Sequence, residues 1–197
     1  MKIVIIDYNA GNVRSVLFAL ERIGVTAELT SDLEKIKAAD KVIFPGVGEA
    51  KNTMAYLRKT GLADTICNLK QPTLGICLGM QLLCEHSEEG NTDCLNIIPL
   101  KVKKFLATAP DQKIPHVGWN KLIFKENTPL FKKSKPGDYA YFVHSYYVEN
   151  GLYTTATCDY ILPFSAALKK DNFYATQFHP EKSGDVGELI LKEFINL

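Results

Sequence analysis

The sequence has few cysteines, and their arrangement does not indicate a disulfide framework. There are five: Cys67, Cys77, Cys84, Cys94 and Cys158. Their odd number, their wide spacing and the lack of a secretion signal in the sequence argue against disulfide pairing. A zinc site of Cys84, His86 and Cys94 is a weak alternative, because the set lacks a Cys-x-x-Cys or His-x-x-x-His pair and an obvious fourth ligand. We therefore expect small buried or surface thiols and no metal site.

The chain also lacks an excess of charge, a basic run and a long apolar segment. Its 23 Lys and Arg residues nearly balance 22 Asp and Glu, for a net charge of +1, so nucleic-acid binding through counterion release is not expected. The apolar start at residues 1–7 is too short for a signal peptide and lacks a small-residue cleavage site. No stretch is long enough to span a bilayer. These absences predict a cytoplasmic protein that binds neither nucleic acid nor membrane.

What is present is the patterning of one globular domain. The chain has 197 residues, 46% of them hydrophobic, and shows no repeat or linker, which predicts a single domain over residues 1–197. In the first half, apolar strands at 2–7, 26–30, 41–44 and 73–76 alternate with helices at 13–23, 50–59 and 78–85. Alternation of this kind predicts a parallel sheet with helices on both faces.

The second half is predicted to add antiparallel strands to that sheet. Turn residues separate strand-like segments at 100–105, 120–124, 139–148, 153–157, 166–169 and 174–178, and a last helix is predicted at 184–195. The predicted fold class is therefore α/β, with a mixed, largely parallel central sheet, helices on both faces and added antiparallel strands.

The strongest chemical signal is the segment Gly-Ile-Cys-Leu-Gly around Cys77. It lies between a predicted strand and a predicted helix, where a nucleophile elbow belongs. The glycines avoid clashes in a strained turn, the helix N-terminus favours the thiolate, and the N–H of Leu78 would face a developing oxyanion. At a glycine frequency of about 7%, one cysteine is flanked this way by chance about once in 200, and any one of five about once in 40. A nucleophile is thus a better explanation than a buried structural cysteine.

A nucleophilic cysteine needs a base, and the base needs an orienting group. Of the four histidines, only His179 stands beside a ready carboxylate, in the segment Gln-Phe-His-Pro-Glu that follows a predicted strand. In extended geometry residues two apart point to one side, so Glu181 is placed to accept from one ring nitrogen while the other faces Cys77. Alone, His-Pro-Glu is more often a surface turn, and the interpretation depends on the cysteine elbow.

The segment Pro-Gly-Val-Gly at residues 45–48 also follows a predicted strand. Glycine lacks a Cβ and lets a backbone N–H approach a substrate closely, so the region of Val47 and Gly48 is a candidate for the second oxyanion donor. A plain strand-to-helix turn explains the glycines equally well. Residues 7–12 lack the glycine spacing of a dinucleotide-binding fingerprint, which excludes that function for them.

Together these segments resemble the class I glutamine amidotransferases, which use a Cys-His-Glu triad. The resemblance rests on residues 75–81 and 177–181 and covers essentially the whole chain. Residues 7–12, 45–48, 116–120 and 141–147 are further similar to the glutaminase subunits of imidazole glycerol phosphate synthases. The resemblance implies a flavodoxin-like fold and a glutaminase whose triad is Cys77, His179 and Glu181.

The resemblance also implies roles for other residues. By position, substrate glutamine would contact Gln81 and Glu89, and the backbone at His144, Ser145 and Tyr146 would hold its amino-acid end; a half-buried aromatic strand is the alternative for residues 141–147. The residues implied to face a partner are Asn12, Trp119 and Lys182, although Trp119 alone is more typical of a core residue.

The implied partner is a (β/α)8 cyclase that forms a heterodimer with the glutaminase. It would use the ammonia and a phosphoribosyl-formimino ribonucleotide to make imidazole glycerol phosphate in histidine biosynthesis, and no cofactor is implied. The sequence shows no phosphate cradle, so we expect the phosphorylated substrate to bind the partner. Three alternatives remain: an amidotransferase that feeds another synthase, a freestanding cysteine hydrolase, and a non-enzymatic interaction module.

Overall fold

The chain folds around a mixed β-sheet, which a computed structural model describes for residues 1–8, 13–125 and 128–197. The strands are, in chain order, β1 Ile3–Ile6, β2 Glu28–Thr30, β3 Lys41–Gly46, β4 Thr73–Cys77, β5 Cys84–Ser87, β6 Thr92–Asp93, β7 Ile98–Lys104, β8 His116–Lys121, β9 Ile123–Phe124, β10 Tyr139–His144, β11 Tyr146–Val148, β12 Thr154–Tyr160, β13 Leu162–Lys170 and β14 Phe173–Thr176. The main path of the sheet runs β2-β1-β3-β4-β14-β13-β11-β7-β5-β6, with β12 joined to β13 and β9 beside it.

The core of the sheet is parallel and its outer part is largely antiparallel. Strands β2, β1, β3, β4 and β14 pair in parallel, whereas β13 pairs antiparallel with β14, β11 and β12. Strands β8 and β10 form a separate antiparallel ribbon. The predicted fold class, a largely parallel sheet with antiparallel strands added, is confirmed.

Helices cover both faces of the parallel core. They are α1 Val13–Arg22, α2 Leu33–Lys37, α3 Ala50–Thr60, α4 Leu62–Cys67, α5 Leu78–Leu82 and α6 Gly184–Ile195, and 3-10 turns cover Pro129–Phe131 and Pro180–Lys182. Because side chains alternate along a strand, Ile5 packs in the cluster with α1 and α6, and Val4 packs in the cluster with α2, α3 and α4. Within the described residues, no helix is long and apolar enough to cross a membrane.

The structure departs from the predicted elements at several places. The strand expected at 120–124 is β8, which begins earlier at His116, followed by the short β9, and the short strand β6 was not predicted. The helix expected at 78–85 stops at Leu82, because the following residues enter strand β5 and pair with β7. The strand expected at 139–148 is interrupted at Ser145, so that β10 joins the ribbon and β11 joins the main sheet. Two short helices, α2 and α4, were not predicted; α2 is capped by Asp32, whose side chain accepts from the N–H groups of Glu34 and Lys35.

Candidate active site

Cys77 lies where β4 ends and α5 begins. Its backbone has φ 55° and ψ −110°, a left-handed conformation that is costly for a residue with a side chain. The flanking glycines are required by close packing. A Cβ on Gly79 would lie 2.0 Å from the carbonyl oxygen of Phe44, and one on Gly75 would lie 2.8 Å from a methyl carbon of Leu83. The segment therefore forms the strained strand-to-helix turn that the sequence predicts.

His179 and Glu181 lie beyond the end of β14, the parallel neighbour of β4. Nδ1 of His179 is 2.8 Å from Oε1 of Glu181, and both residues are buried. The hydroxyl of Ser183 donates to the His179 carbonyl at 2.7 Å, and the His179 N–H donates to the Tyr141 carbonyl at 2.9 Å. The backbone of the histidine is thus fixed on both sides, and the ring is oriented by the carboxylate.

The two parallel strands bring Cys77 and His179 to one pocket. Strand β14 pairs with β4 up to Thr176 and Ile76; Cys77 is the last residue of β4 and His179 lies just beyond β14, so both are at the carboxyl ends of these strands. Burial by itself would lower the pKa of His179, but hydrogen bonds to Cys77 and Glu181, together with the charges of those two groups, outweigh it and raise that pKa to about 10. The site therefore favours the imidazolium form of His179.

The loop that follows β3 forms another wall of the pocket, through Val47 and Gly48. Gly46 is locked within the sheet, since a Cβ there would lie 2.7 Å from the Tyr8 hydroxyl and 2.7 Å from the Gly79 nitrogen. Gly48 is different: it has φ +110° and open space around the Cβ position. Leu78, the first residue of α5, also lines the pocket, and its N–H has no acceptor one turn earlier in the helix.

The pocket has a volume of about 460 Å³ and contains the residues that the resemblance assigns to glutamine. Gln81 donates from Nε2 to the Tyr146 carbonyl at 3.0 Å and to Oε1 of Gln177 at 2.9 Å, which leaves its own carbonyl oxygen as an acceptor. Glu89 accepts from the Ala50 N–H at 2.8 Å, and burial raises the pKa of its carboxyl group. A volume of this size is typical of small-molecule sites.

The pocket also contains His144, Ser145 and Tyr146, at the break between β10 and β11. The ring of His144 is buried, and both of its nitrogens are within hydrogen-bond distance of other protein groups, His116 and the Tyr146 carbonyl. The ring of His144 is therefore not free to bind a ligand, so a direct role for this residue would fall to its backbone.

Two of the three residues implied to face a partner, Trp119 and Lys182, lie on or beside the ribbon of β8 and β10. Trp119 is 56% exposed, so the alternative of a core residue is wrong. Its ring centroid lies 6.1 Å from that of Tyr141, and Nζ of Lys182 lies 6.0 Å above the Tyr141 ring. The third predicted residue, Asn12, lies outside the described part of the chain.

Two residues of the site were missed by the sequence reasoning. Nε2 of Gln177 lies 3.8 Å from Sγ of Cys77, and the hydroxyl of buried Tyr8 donates to the Pro45 carbonyl at 2.7 Å, at the end of β3. Burial and the nearby Cys77 charge raise the pKa of Tyr8. The signal for Gln177 was its place in the motif around His179, whereas nothing local in the sequence distinguishes Tyr8 from a core residue.

The described residues contain no group of three or more His, Cys, Asp or Glu side chains placed to hold a metal ion. The five cysteines are all free thiols. The site is thus built from a cysteine, a histidine, a carboxylate and backbone groups, a set suited to acyl transfer through a covalent thioester.

Comparison with known proteins defines the class. The family model "Glutamine amidotransferase class-I" matches residues 4–197, and the chain belongs to that family. Solved structures agree at the level of the fold: a GMP synthase component described as putative, from Thermoplasma acidophilum, aligns with a TM-score of 0.74 at 22% identity, over 100% of this chain and 92% of that one. PurLQS from Thermotoga maritima aligns with a TM-score of 0.75 at 16% identity, over 99% and 97%.

Sequence relatives are more specific. The imidazole glycerol phosphate synthase subunit HisH of Bacteroides thetaiotaomicron is 57% identical over 197 residues, which is 100% of both chains. The protein of the same name from Pasteurella multocida is 48% identical over 195 residues, covering 98% of this chain and 96% of its own.

Proposed function

We propose that residues 1–197 form a single glutamine amidotransferase domain that is the glutaminase subunit of an imidazole glycerol phosphate synthase in the cytoplasm. It hydrolyses L-glutamine to glutamate and ammonia, and a (β/α)8 cyclase partner uses the ammonia in histidine biosynthesis. Two observations support this proposal together. Cys77 and the His179–Glu181 pair share one pocket, and full-length relatives with 57% and 48% identity carry that subunit name.

In the first half of the proposed reaction, the Cys77 thiolate attacks the side-chain carboxamide of glutamine. The N–H of Leu78 and one N–H from the Val47–Gly48 region stabilise the oxyanion. The C–N bond then breaks, and His179 transfers its proton to the nitrogen, which leaves as ammonia. The product on the enzyme is a γ-glutamyl thioester on Cys77.

The second half returns the enzyme to its starting state. Neutral His179 takes a proton from water, whose oxygen attacks the thioester carbonyl. Collapse of the second oxyanion breaks the C–S bond and releases glutamate, and the thiolate–imidazolium pair is restored. Glu181 stays hydrogen-bonded to Nδ1 throughout and stabilises the charged form of the ring.

The overall proposal is tested by ammonia release from glutamine, with and without a candidate cyclase and its ribonucleotide. We expect release to be stimulated by the liganded cyclase and to be matched by imidazole glycerol phosphate. Stimulation only by a different synthase would identify an amidotransferase of another pathway. Full turnover without any partner would instead identify a freestanding hydrolase.

Glu89 is proposed to bind the α-ammonium group of glutamine, because its carboxylate lines the pocket while accepting from the Ala50 N–H. We expect Glu89→Gln to raise KM for glutamine about 10- to 100-fold with little change in kcat, since an amide keeps the backbone hydrogen bond and loses only the charge. Steady-state kinetics of the complex measure both values. Glu88→Gln, the same change at an exposed neighbour, is the matched control, and an unchanged KM for Glu89→Gln would refute the role.

The outer face of the ribbon formed by β8 and β10 is the proposed cyclase-binding surface. Register places Val117 and Trp119 of β8 beside Val143 and Tyr141 of β10. Val117 and Trp119 are each 56% exposed, and Val143 is 37% exposed. A continuous exposed apolar patch of this kind is typical of an interaction site. Asn12 and Lys182 are proposed to extend this surface.

Docking on this surface can reach the catalytic residues through β10. The Val143 carbonyl lies 4.0 Å from Sγ of Cys77, and the Tyr141 carbonyl accepts from the His179 N–H. A displacement of β10 by the cyclase would therefore act directly on the nucleophile and the base.

We predict that the isolated chain is a poor glutaminase and that the liganded cyclase raises its rate about 10²- to 10³-fold, the usual cost of a missing oxyanion donor. The Leu78 donor is fixed at the start of α5, and Gly46 is held by close contacts. Of the two glycines in this loop, Gly48 combines open space with a positive φ, of +110°, so the Val47–Gly48 peptide is the element with freedom to reorient. Steady-state glutamine hydrolysis by the chain and by the complex measures the ratio.

Substitution at Gly48 tests the location of this control. Gly48→Ala meets no steric contact but disfavours the observed φ, so it should change the activation ratio more than the affinity for the cyclase. Gly24→Ala is the matched control, because Gly24 also has positive φ, at +78°, and open space, but lies after α1. Equal rates for the wild-type chain alone and in complex would show that both oxyanion donors are in place without a partner.

A further inference from the structure

Two buried histidines that take no part in the proposed chemistry form a hydrogen-bonded chain behind the pocket. His116 and His144 face each other across β8 and β10 and are 3% and 5% exposed. Nδ1 of His116 lies 3.0 Å from Nε2 of His144, and Nδ1 of His144 lies 2.7 Å from the Tyr146 carbonyl oxygen. At the other end, Nδ2 of Asn120 lies 3.3 Å from Nε2 of His116.

The partners at the two ends fix the proton on each ring. A carbonyl oxygen only accepts, so Nδ1 of His144 carries a proton and donates to Tyr146. At the far end, the Asn120 amide donates to the Asp159 carbonyl at 3.0 Å and its Oδ1 accepts from the Lys121 N–H at 2.8 Å, which fixes its orientation. The amide therefore donates to Nε2 of His116.

With both ends fixed, the central contact has one arrangement for neutral rings. His116 donates from Nδ1 to the bare Nε2 of His144. Burial lowers the pKa of His116 to about 4 and the pKa of His144 to about 3, so both rings are neutral near pH 7. His116 is also stacked on Tyr160, with ring centroids 4.0 Å apart. Every ring nitrogen of the two histidines thus has a hydrogen-bond partner, and the stacking further restrains the His116 ring.

The chain ends on backbone that lines the pocket. The Tyr146 carbonyl accepts from His144 and also from Nε2 of Gln81, at 3.0 Å. The preceding carbonyl, of Ser145, accepts from the Phe105 N–H at 3.0 Å. Hydrogen bonds thus fix the two carbonyl groups, and with them the orientation of the peptide groups where β10 gives way to β11.

We propose that His116 and Asn120 are positioning residues for the glutamine pocket: acting through His144, they hold the Ser145–Tyr146 backbone in the orientation that binds the amino-acid end of the substrate. This role rests on the proposed glutaminase function. His116 and Asn120 lie on one face of β8, and the opposite face of the strand is the proposed cyclase-binding surface.

Two substitutions at His116 separate positioning from folding. His116→Phe keeps a ring against Tyr160 but removes the donor, so Nε2 of His144 is left buried without a partner. His116→Asn places an amide N–H where Nδ1 stood and should restore the contact. We expect His116→Phe to raise KM for glutamine about tenfold with kcat changed less than threefold, and His116→Asn to lie within a few-fold of wild type.

Kinetics are measured on the complex with saturating cyclase and ribonucleotide, and His86→Phe is the matched control at a histidine outside the pocket. A purely structural role would lower the active fraction, and hence kcat, without moving KM. An unchanged KM in folded His116→Phe, beside an active wild type, overturns the proposal. A wild-type complex that releases no ammonia instead refutes the proposed function and, with it, this role.

Nitrogen-15 NMR of the imidazole rings tests the chain independently of activity. At pH 7, long-range proton–nitrogen correlations should show His116 and His144 both protonated at Nδ1 and bare at Nε2. His144 should keep this tautomer in His116→Asn. The Nε2–H tautomer or an imidazolium at either histidine in the wild type would overturn the proposal.

Discussion

Replacing Cys77 by alanine is expected to lower glutamine-dependent ammonia release by about 10⁶-fold, the scale on which a catalytic triad loses rate when its nucleophile is removed. Synthesis by the complex from added ammonium salts should persist, because the acceptor chemistry is proposed to lie on the cyclase. The same variant thus separates glutamine hydrolysis from ammonia use. Parallel assays with glutamine and with ammonium chloride measure the two activities.

The change is well suited to the site because it removes little besides the sulfur. Alanine keeps the Cβ, so the strained φ of 55° and the packing of Gly75 and Gly79 are retained. We therefore expect the variant to remain folded and to bind the cyclase. If Cys77→Ala no longer bound the cyclase, its lost activity would reflect misfolding rather than the missing nucleophile. Thermal unfolding of the variant distinguishes these two causes.

Alanine substitutions at the other four cysteines provide the control. Cys67→Ala, at an exposed thiol, should hydrolyse glutamine at nearly the wild-type rate, and so should alanine at the buried thiols Cys84, Cys94 and Cys158. Normal glutaminase activity in Cys77→Ala would contradict the assignment of the nucleophile. It would favour the alternative in which Cys77 is only a structural residue.

The nucleophile turn was predictable because its requirements are local. A strained turn between a strand and a helix needs glycines where other backbone approaches, and Gly75 and Gly79 meet those contacts. The spacing of two residues between His179 and Glu181 also pointed to their pairing, but the extended geometry expected for this segment is wrong, because Pro180–Lys182 form a 3-10 turn. The final helix, α6, has the predicted bounds for the same reason, because the helical spacing of its apolar residues lies within the segment itself.

The remaining parts of the site depend on contacts between distant segments. His116 and His144 are 28 residues apart and meet only because β8 pairs with β10. The break at Ser145 likewise follows from β10 and β11 joining different sheets, which no local propensity specifies. For Trp119, size alone would suggest a core residue, whereas strand register turns the side chain outward to solvent.

For the base, we expect His179→Ala to be nearly inactive and Glu181→Gln to keep more activity. In serine protease triads, loss of the base costs about 10⁶-fold in kcat and loss of the orienting carboxylate about 10⁴-fold. The same order should hold because His179 transfers protons whereas Glu181 acts through it. The values of kcat at saturating glutamine give the ranking. A larger loss in His144→Ala than in His179→Ala would show that the wrong histidine was chosen.

Glu181→Gln should also change the pH dependence, because glutamine can accept from Nδ1 but carries no charge. The Cys77 sulfur and the Glu181 carboxylate both raise the pKa of His179 against the effect of burial, so removing one of them lowers that pKa. The imidazolium, which must protonate the leaving ammonia, is then lost at lower pH. In profiles of kcat/KM against pH, the alkaline limb of Glu181→Gln should therefore lie at lower pH than that of the wild type. A limb that stays in place while kcat falls would mean that the carboxylate orients the ring without stabilising its charge.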